Sequence, residues 1–374
     1  MKLILSDNSL HLRFAPLTLT KPLAELRCGI YTNTERWQLL MPQAQIGFQT
    51  EDYLQQKYPS IDGIWINAQC IATKAFAEAV LDLQINQALY YKEHCLAING
   101  TAQIKVEFSS EPILLENRWD LYLKNELILK ADFQLASLNN SIAQLGENNL
   151  LLGPLTDLIL MEGVRAEGVT FNTKTGPIYI GKNVEIMEGS LLRGPLAIMD
   201  GAVIKMGAKI YGATTIGPHC RIGGEVSNSL FQGYSNKGHD GFLGNALIGE
   251  WCNLGADTNC SNLKNNYSTV STYCYEHETM QSTNELFMGL TMGDHSMSAI
   301  NVQFNTATVV GVGSNIMTSG FPPKYIPSFQ WISDPQSEKH DFDKAIGSIS
   351  AMMSRRNTEL TDQDIEILRF LAKN

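Results

Sequence analysis

Ile or Leu stands at every sixth position from 180 to 222: Ile180, Ile186, Leu192, Ile198, Ile204, Ile210, Ile216 and Ile222. A helix repeats at 3.6 residues and a strand at 2, so a strict six fits neither as a single element. It fits a solenoid whose flat sides each turn an aliphatic inward. Two positions before each rung lies a small or aliphatic residue: Ile178, Val184, Ser190, Leu196, Ala202, Ala208, Thr214 and Cys220. The ladder resumes two residues out of phase at Phe242, Ile248 and Leu254, which predicts an insertion after Ile222. It breaks again over 261–285 and returns at Met292, Ser298, Phe304, Val310 and Ile316. Past Phe321-Pro322-Pro323 the rhythm fails. Interruptions in a solenoid become loops on its outside, where function often resides.

The flanking segments have other periods. Residues 1 to about 150 read as mixed α/β, with buried strands at Met1–Leu5 and Gly63–Asn67 and an amphipathic helix over Lys74–Leu83. Leu96–Ile98 and Ile104–Phe108 are further strands, separated by the Asn99-Gly100 turn signal. The tail predicts one helix over 340–356, with Phe342, Ile346, Ile349 and Met353 on one side. A second follows a Thr361/Asp364 cap and carries Ile365, Leu368 and Leu371. The expected organisation is an α/β domain over 1–152, a β-helix over 153–325 and a helical tail over 326–374, with the tail packed on the body or on a neighbouring subunit.

Composition narrows the partners. A formal charge of −10 over 374 residues argues against nucleic acid, which demands clustered Lys and Arg. The seven cysteines are scattered without a CxxC pair, as expected of reduced thiols in a cytoplasmic protein. No stretch has the length or apolarity of a membrane span or a signal peptide.

The segment Lys237-Gly238-His239-Asp240-Gly241-Phe242-Leu243-Gly244 is followed by Ile248-Gly249, by Asn253-Leu254-Gly255-Ala256 and by Asn262-Leu263-Lys264. Together with the hexads it resembles the left-handed parallel β-helix of hexapeptide acyltransferases. Among these it is most similar to bifunctional enzymes of the GlmU type, which pair uridylyl transfer to N-acetylglucosamine 1-phosphate with acetylation of glucosamine 1-phosphate. The resemblance implies a homotrimer that uses acetyl-CoA. It implies His239 as general base and Asn253 and Asn262 as amino-sugar ligands. Glu225 matches a substrate-binding Glu of the family. Phe242 stands where the family has a Tyr that contacts the sugar phosphate, and Ser227 where it has a phosphate-binding Lys, so Lys237 or Lys264 would supply that charge. Imidazole, with a reference pKa near 6.5, takes a proton from an amine near neutral pH. Against this stands the bland reading of His239 as an ordinary loop histidine.

Residues 1–28 contain no glycine, so the phosphate-cradling loop usual in sugar nucleotidyltransferases is missing. Lys21-Pro22-Leu23, with Ala24 through Gly29, Trp37 and Asn117-Arg118-Trp119-Asp120, is nevertheless similar to a divergent branch of such domains fused to β-helices. That similarity implies UTP as a substrate, Lys21 and Arg27 as phosphate ligands and Asp120 as a Mg²⁺ ligand. The alternatives are a turn at Lys21, a structural ion pair at Arg27 and a helix cap at Asp120. For the whole chain they are a single retained activity, a non-enzymatic scaffold, or a metal-dependent β-helix enzyme. His219, His277 and His295 lack metal-ligand spacing, and Glu276-His277-Glu278 reads as a solvated loop.

Overall fold

The computed structural model describes residues 1–137, 144–334 and 336–373. Its first part is a six-stranded sheet in the order β2-β1-β3-β5-β4-β6, with β1 at Lys2–Ser6, β2 at Gln45–Gln49, β3 at Ile64–Asn67, β4 at Gln87–Tyr91, β5 at His94–Asn99 and β6 at Ile104–Glu107. The first three strands are parallel; β5 runs antiparallel to β3 and β4. Helices α1 (Asn33–Leu40), α2 (Lys74–Leu81), α3 (Asp120–Leu123) and α4 (Asn125–Ser137) complete the domain. Thr32 and Glu35 form a reciprocal cap on α1 that satisfies two otherwise orphaned N–H groups. Leu3, Leu5, Trp37, Ile66, Phe76 and Leu96 meet in the core.

The strands at 1–5 and 63–67 and the helix at 74 are present as expected, whereas β2 and β4 escaped prediction. β2 alternates only two apolar residues, Ile46 and Phe48, around its buried Gly47, and both are just partly buried, so its signal is short. The Asn99-Gly100 signal does mark a turn, with φ of +86° at Gly100. The strands it separates do not pair with each other, however: β6 lies parallel beside β4.

From Leu150 the chain winds into a three-faced parallel β-helix. Face one carries the strands from Leu150–Leu152 to Phe242–Gly244; face two those from Leu158–Leu160 to Tyr325–Ile326; face three those from Arg165–Ala166 to Gln330–Ser333. Register stacks the rungs coil on coil: Leu192 beneath Ile210 and Val226 on face one, Ile198 beneath Ile216 and Phe231 on face two, Ile204 beneath Ile222 on face three. All are 0–1% exposed. Fully burying one such side chain stabilises by about 1.5–3 kcal/mol, which explains the strictness of the hexad.

The predicted insertion after Ile222 is not there. The inward residues continue at Val226, Phe231, Lys237, Leu243, Ile248 and Leu254, so three turns are shorter, with steps of four, five and five in place of six. Losing four residues and gaining two give the same phase in a six-residue repeat, so phase alone could not separate them. Phe242 is consequently not a rung: it lies opposite Glu225, half-buried, and Leu243 points inward. The break at 261–285 is a true excursion, which carries a hairpin of Ser271–Cys274 and Thr279–Ser282. Beyond Pro323 one partial coil continues through Ile326 and Ile332, past the point where the rhythm appeared to stop.

Helices α5 (Phe342–Ser354) and α6 (Asp362–Lys373) fold back on the body. The Thr361/Asp364 cap forms, with Asp364 N donating to Thr361 Oγ1 at 3.2 Å. Ile349, Met353 and Leu368 pack on Trp251 and Phe329 of the β-helix and on Ala15 and Leu19 of the first domain. One corner of the helix serves this docking. There His219, Tyr234, Trp251, His295 and Phe329 all adopt φ of 54–61°, an uncommon conformation for bulky side chains. Tyr234 and Trp251 stack at 4.2 Å.

Candidate functional site

The corner between faces three and one brings several predicted residues together. Asn236–Lys237 ends face three, Gly238–Gly241 turns the corner, and Phe242–Gly244 opens the next strand of face one. The turn is tight because Gly241, at φ +120°, lies against the Thr258 carbonyl, where a Cβ would come within 2.3 Å. His239 sits at its apex and is exposed. Beneath it the Lys237 ammonium donates to the carbonyls of His239 at 2.8 Å and Gly223 at 3.2 Å. Burial lowers the Lys237 pKa to about 8, against the pull of Asp240 and Asp257.

Face one turns polar groups outward beside this corner. Leu191, Lys209, Glu225 and Phe242 form one outer row, in register across four coils. Tyr211 donates its hydroxyl to Glu225 at 2.7 Å, which raises the tyrosine pKa. Arg193, Lys209, Tyr211 and Glu225 line a cleft of about 380 Å³. Glu225, Lys237, His239 and Phe242 thus share two adjacent coils. Asn253 is on the next coil of face three and accepts from Asn236 at 2.8 Å. Asn262 donates to Asn245 at 2.8 Å, and Lys264 donates to the Thr269 carbonyl of its own loop at 2.6 Å. Sequence reasoning missed Arg193, Lys209 and Tyr211. Lys209 precedes Glu225 by one shortened coil, and stepping back along the outer row would have found it.

The first-domain candidates are engaged with protein groups. Lys21 is 5% exposed, with Glu250 at 2.9 Å and Asp294 at 3.2 Å, both from the β-helix. Burial alone would lower its pKa; Asp294 and then Glu250 outweigh that and raise it. Arg27 grips both oxygens of Glu35 at 2.8 Å. Asp120 accepts from the backbone N–H groups of Glu116 at 2.7 Å and Asn117 at 3.0 Å. Asp7, at the end of β1, takes the Leu23 N–H at 2.8 Å and the Thr50 hydroxyl at 2.5 Å, which ties the following loop onto the sheet. A small polar cleft lined by Ser6, Asn8, Ser9, Gln49 and Thr50 remains at the carboxyl ends of β1 and β2. That end is where open α/β sheets bind ligands.

Among the described residues, one group of metal-ligand type occurs: Cys274, Glu276 and His277, with ligand atoms within 4.8 Å of one another. Glu276 is already paired with Arg13 at 2.8 Å. His219 stacks instead on Tyr234 at 4.9 Å. All seven cysteines are free thiols. No helix among the described residues is long and apolar enough to cross a membrane.

Comparison with known proteins gives the two parts a context. Residues 3–141 match the family of sugar nucleotidyl transferases. With the β-helix behind it, this makes the chain similar to a fusion of a nucleotidyltransferase segment with a hexapeptide solenoid. Two curated relatives are bifunctional GlmU proteins. That of Rippkaea orientalis is 30% identical over 118 residues, 29% of this chain and 26% of the relative. That of Trichodesmium erythraeum is 34% identical over 86 residues, 22% and 18% respectively. The aligned stretch thus spans about a quarter or less of either relative's length. Solved structures of similar shape include a UDP-N-acetylglucosamine acyltransferase from Campylobacter jejuni, 14% identical, covering 55% of this chain and 95% of that one with a TM-score of 0.28. The polysialic-acid-specific acetyltransferase NeuO is another, at 13% identity, 54% and 86% coverage and a TM-score of 0.26.

Proposed function

We propose that the β-helix acetylates an amino-sugar 1-phosphate, glucosamine 1-phosphate in the first instance, from acetyl-CoA. The observation that carries this reading is the corner at which His239 stands exposed, next to the face-one strand whose Glu225 lines a cleft with Arg193, Lys209 and Tyr211. His239 removes a proton from the sugar amine, the amine attacks the thioester carbonyl, and the tetrahedral intermediate expels coenzyme A as its thiol. General-base assistance of this kind contributes about 10²–10⁴ in rate. Lys209 and Arg193 replace the cation missing at Ser227, and guanidinium suits a phosphate bidentately. Glu225, oriented by Tyr211, accepts from the sugar; Asn253 and Asn262 offer further amide contacts. Exposure of His239 on one chain suits a site completed by a neighbouring copy in a homotrimer.

The first domain is proposed to join the acetylated sugar phosphate to UTP, giving UDP-N-acetylglucosamine. The match over 3–141 supports this reading. Asp120 does not fit a resident Mg²⁺ site: its carboxylate already accepts two backbone N–H groups and lies 4.0 Å from Lys124. Phosphate binding by Lys21 or Arg27 requires each to exchange its carboxylate partners. That engagement favours a second reading, in which acetyl transfer alone is retained.

Two assays decide. Thiol release from acetyl-CoA is expected with glucosamine 1-phosphate; its absence with every amino-sugar phosphate tried sinks the first reading. Pyrophosphate release from UTP with N-acetylglucosamine 1-phosphate and Mg²⁺ separates the full reading from the acetyl-only one.

A further inference from the structure

Lys237 breaks the rule that builds the β-helix. The third face turns Ile186, Ile204, Ile222, Leu254, Ser298, Ile316 and Ile332 inward, and between Ile222 and Leu254 it places a lysine. Lys237 is 1% exposed, among the largest fully buried side chains of the protein. Among the described residues no carboxylate comes within 4 Å of its ammonium; Asp240 and Asp257 act from farther off. Its partners are the carbonyls of Gly223 and His239. A buried cation without an anion costs several kcal/mol, so stability does not account for it.

What surrounds the ammonium gives its role. The shortest turn of the helix, the four-residue step from Ile222 to Val226, brings Gly223 and Gly224 to this point. A Cβ on Gly224 would lie 2.9 Å from each of three atoms: Lys237 Nζ, the His239 oxygen and the Gly241 oxygen. The shortened turn, the side-chain-free Gly224 and the lysine converge beneath the turn that carries His239.

We propose that Lys237 is a positioning residue whose buried ammonium gathers the carbonyls of the Gly223 and His239 turns and so fixes the direction in which the His239 imidazole is presented. The inference rests on the acetyl-transfer reading for its consequence in catalysis, but not for the ordering of the turn. It departs from the expectation that Lys237 supplies a phosphate-binding charge, because the ammonium faces the interior.

The test is Lys237→Met, close in volume and suited to an inward rung. Hydrogen exchange of the Glu225 and Asp257 amides, which donate to the turn carbonyls of Gly241 at 3.2 Å and Asp240 at 3.1 Å, is expected to accelerate by about tenfold or more, while Tm holds or rises. Turnover in acetyl transfer is expected to fall by about 10–100-fold with KM for the amino sugar changed less than about threefold, since misplacing a reacting group by an ångström is that expensive. Unchanged exchange overturns the proposal. So does a Tm that drops together with turnover, the mark of a merely structural lysine. Where wild type shows no acetyl transfer at all, the functional reading fails and the exchange arm alone decides the role of Lys237.

Discussion

The protein buries two lysines and treats them oppositely. Lys21, at the junction of the first domain and the β-helix, is met by Glu250 and Asp294, and Thr20 donates to Asp294 at 2.6 Å. Lys237, under the His239 corner, has carbonyls only. The first pKa is raised, the second lowered to about 8. A complete ion pair is what a joint between domains requires; an incomplete one is what a stability-neutral fold would discard. The contrast suggests that the polar groups of the first domain now serve assembly, whereas those of the corner remain available for chemistry.

The sharpest way to break that contrast is to truncate the junction. Lys21→Met strands Asp294, which is 3% exposed, without its cation. Removing one partner of a buried pair costs about 3–5 kcal/mol, and a large fall in Tm by calorimetry is expected. Lys237→Met should do the reverse and leave Tm unchanged or higher.

Glu225→Gln keeps the Tyr211 contact while removing a charge. It should raise KM for the amino sugar by about tenfold, consistent with one charge-assisted hydrogen bond of about 1.5–3 kcal/mol, with kcat nearly preserved in steady-state assays. A similar loss in thermal stability would instead place Glu225 with the junction groups.

The smallest effect is one of pH. Between about pH 8 and 10.5 the unfolded chain keeps the Lys237 proton that the folded protein has released, so this group makes stability rise with pH across that window. The raised Lys21 works the other way: its contribution is full below 10.5 and is lost as pH climbs beyond. The lowered Asp294 contributes above its ordinary value of 3.8 and loses that contribution as pH falls below it. The buried thiols of Cys28, Cys70, Cys220, Cys252 and Cys260, held above their ordinary value by burial, lower stability in the upper part of this window, so the Lys237 effect is read as a difference: in chemical denaturation at stepped pH, wild type should gain stability relative to Lys237→Met between about pH 8 and 10.5.

Much of the architecture was legible because one physical constraint repeats. Each hexad rung faces the same narrow core, so Ile or Leu recurs and the coil announces itself. Shortened turns were illegible for the same reason: the ladder records phase and not length, so Phe242 falls on a rung position by phase alone. The Lys237 rung was hidden too, since a polar residue at the expected position looks like a break in the pattern. In the first domain the edge strand β2 offers only Ile46 and Phe48 to read, and the partners of Lys21 lie more than two hundred residues away on the β-helix. The corner motif around His239 could be picked out, but not the cleft cations Arg193 and Lys209, whose relation to Glu225 depends on how the coils stack.

The central claim is that the exposed imidazole at this corner takes the proton from an acetyl-accepting amine. Single-turnover acetylation of glucosamine 1-phosphate, measured for wild type and for His239→Gln of matched Tm, addresses it most directly. The account predicts a loss of about 10²-fold or more in the variant; equal rates in the two proteins would contradict it.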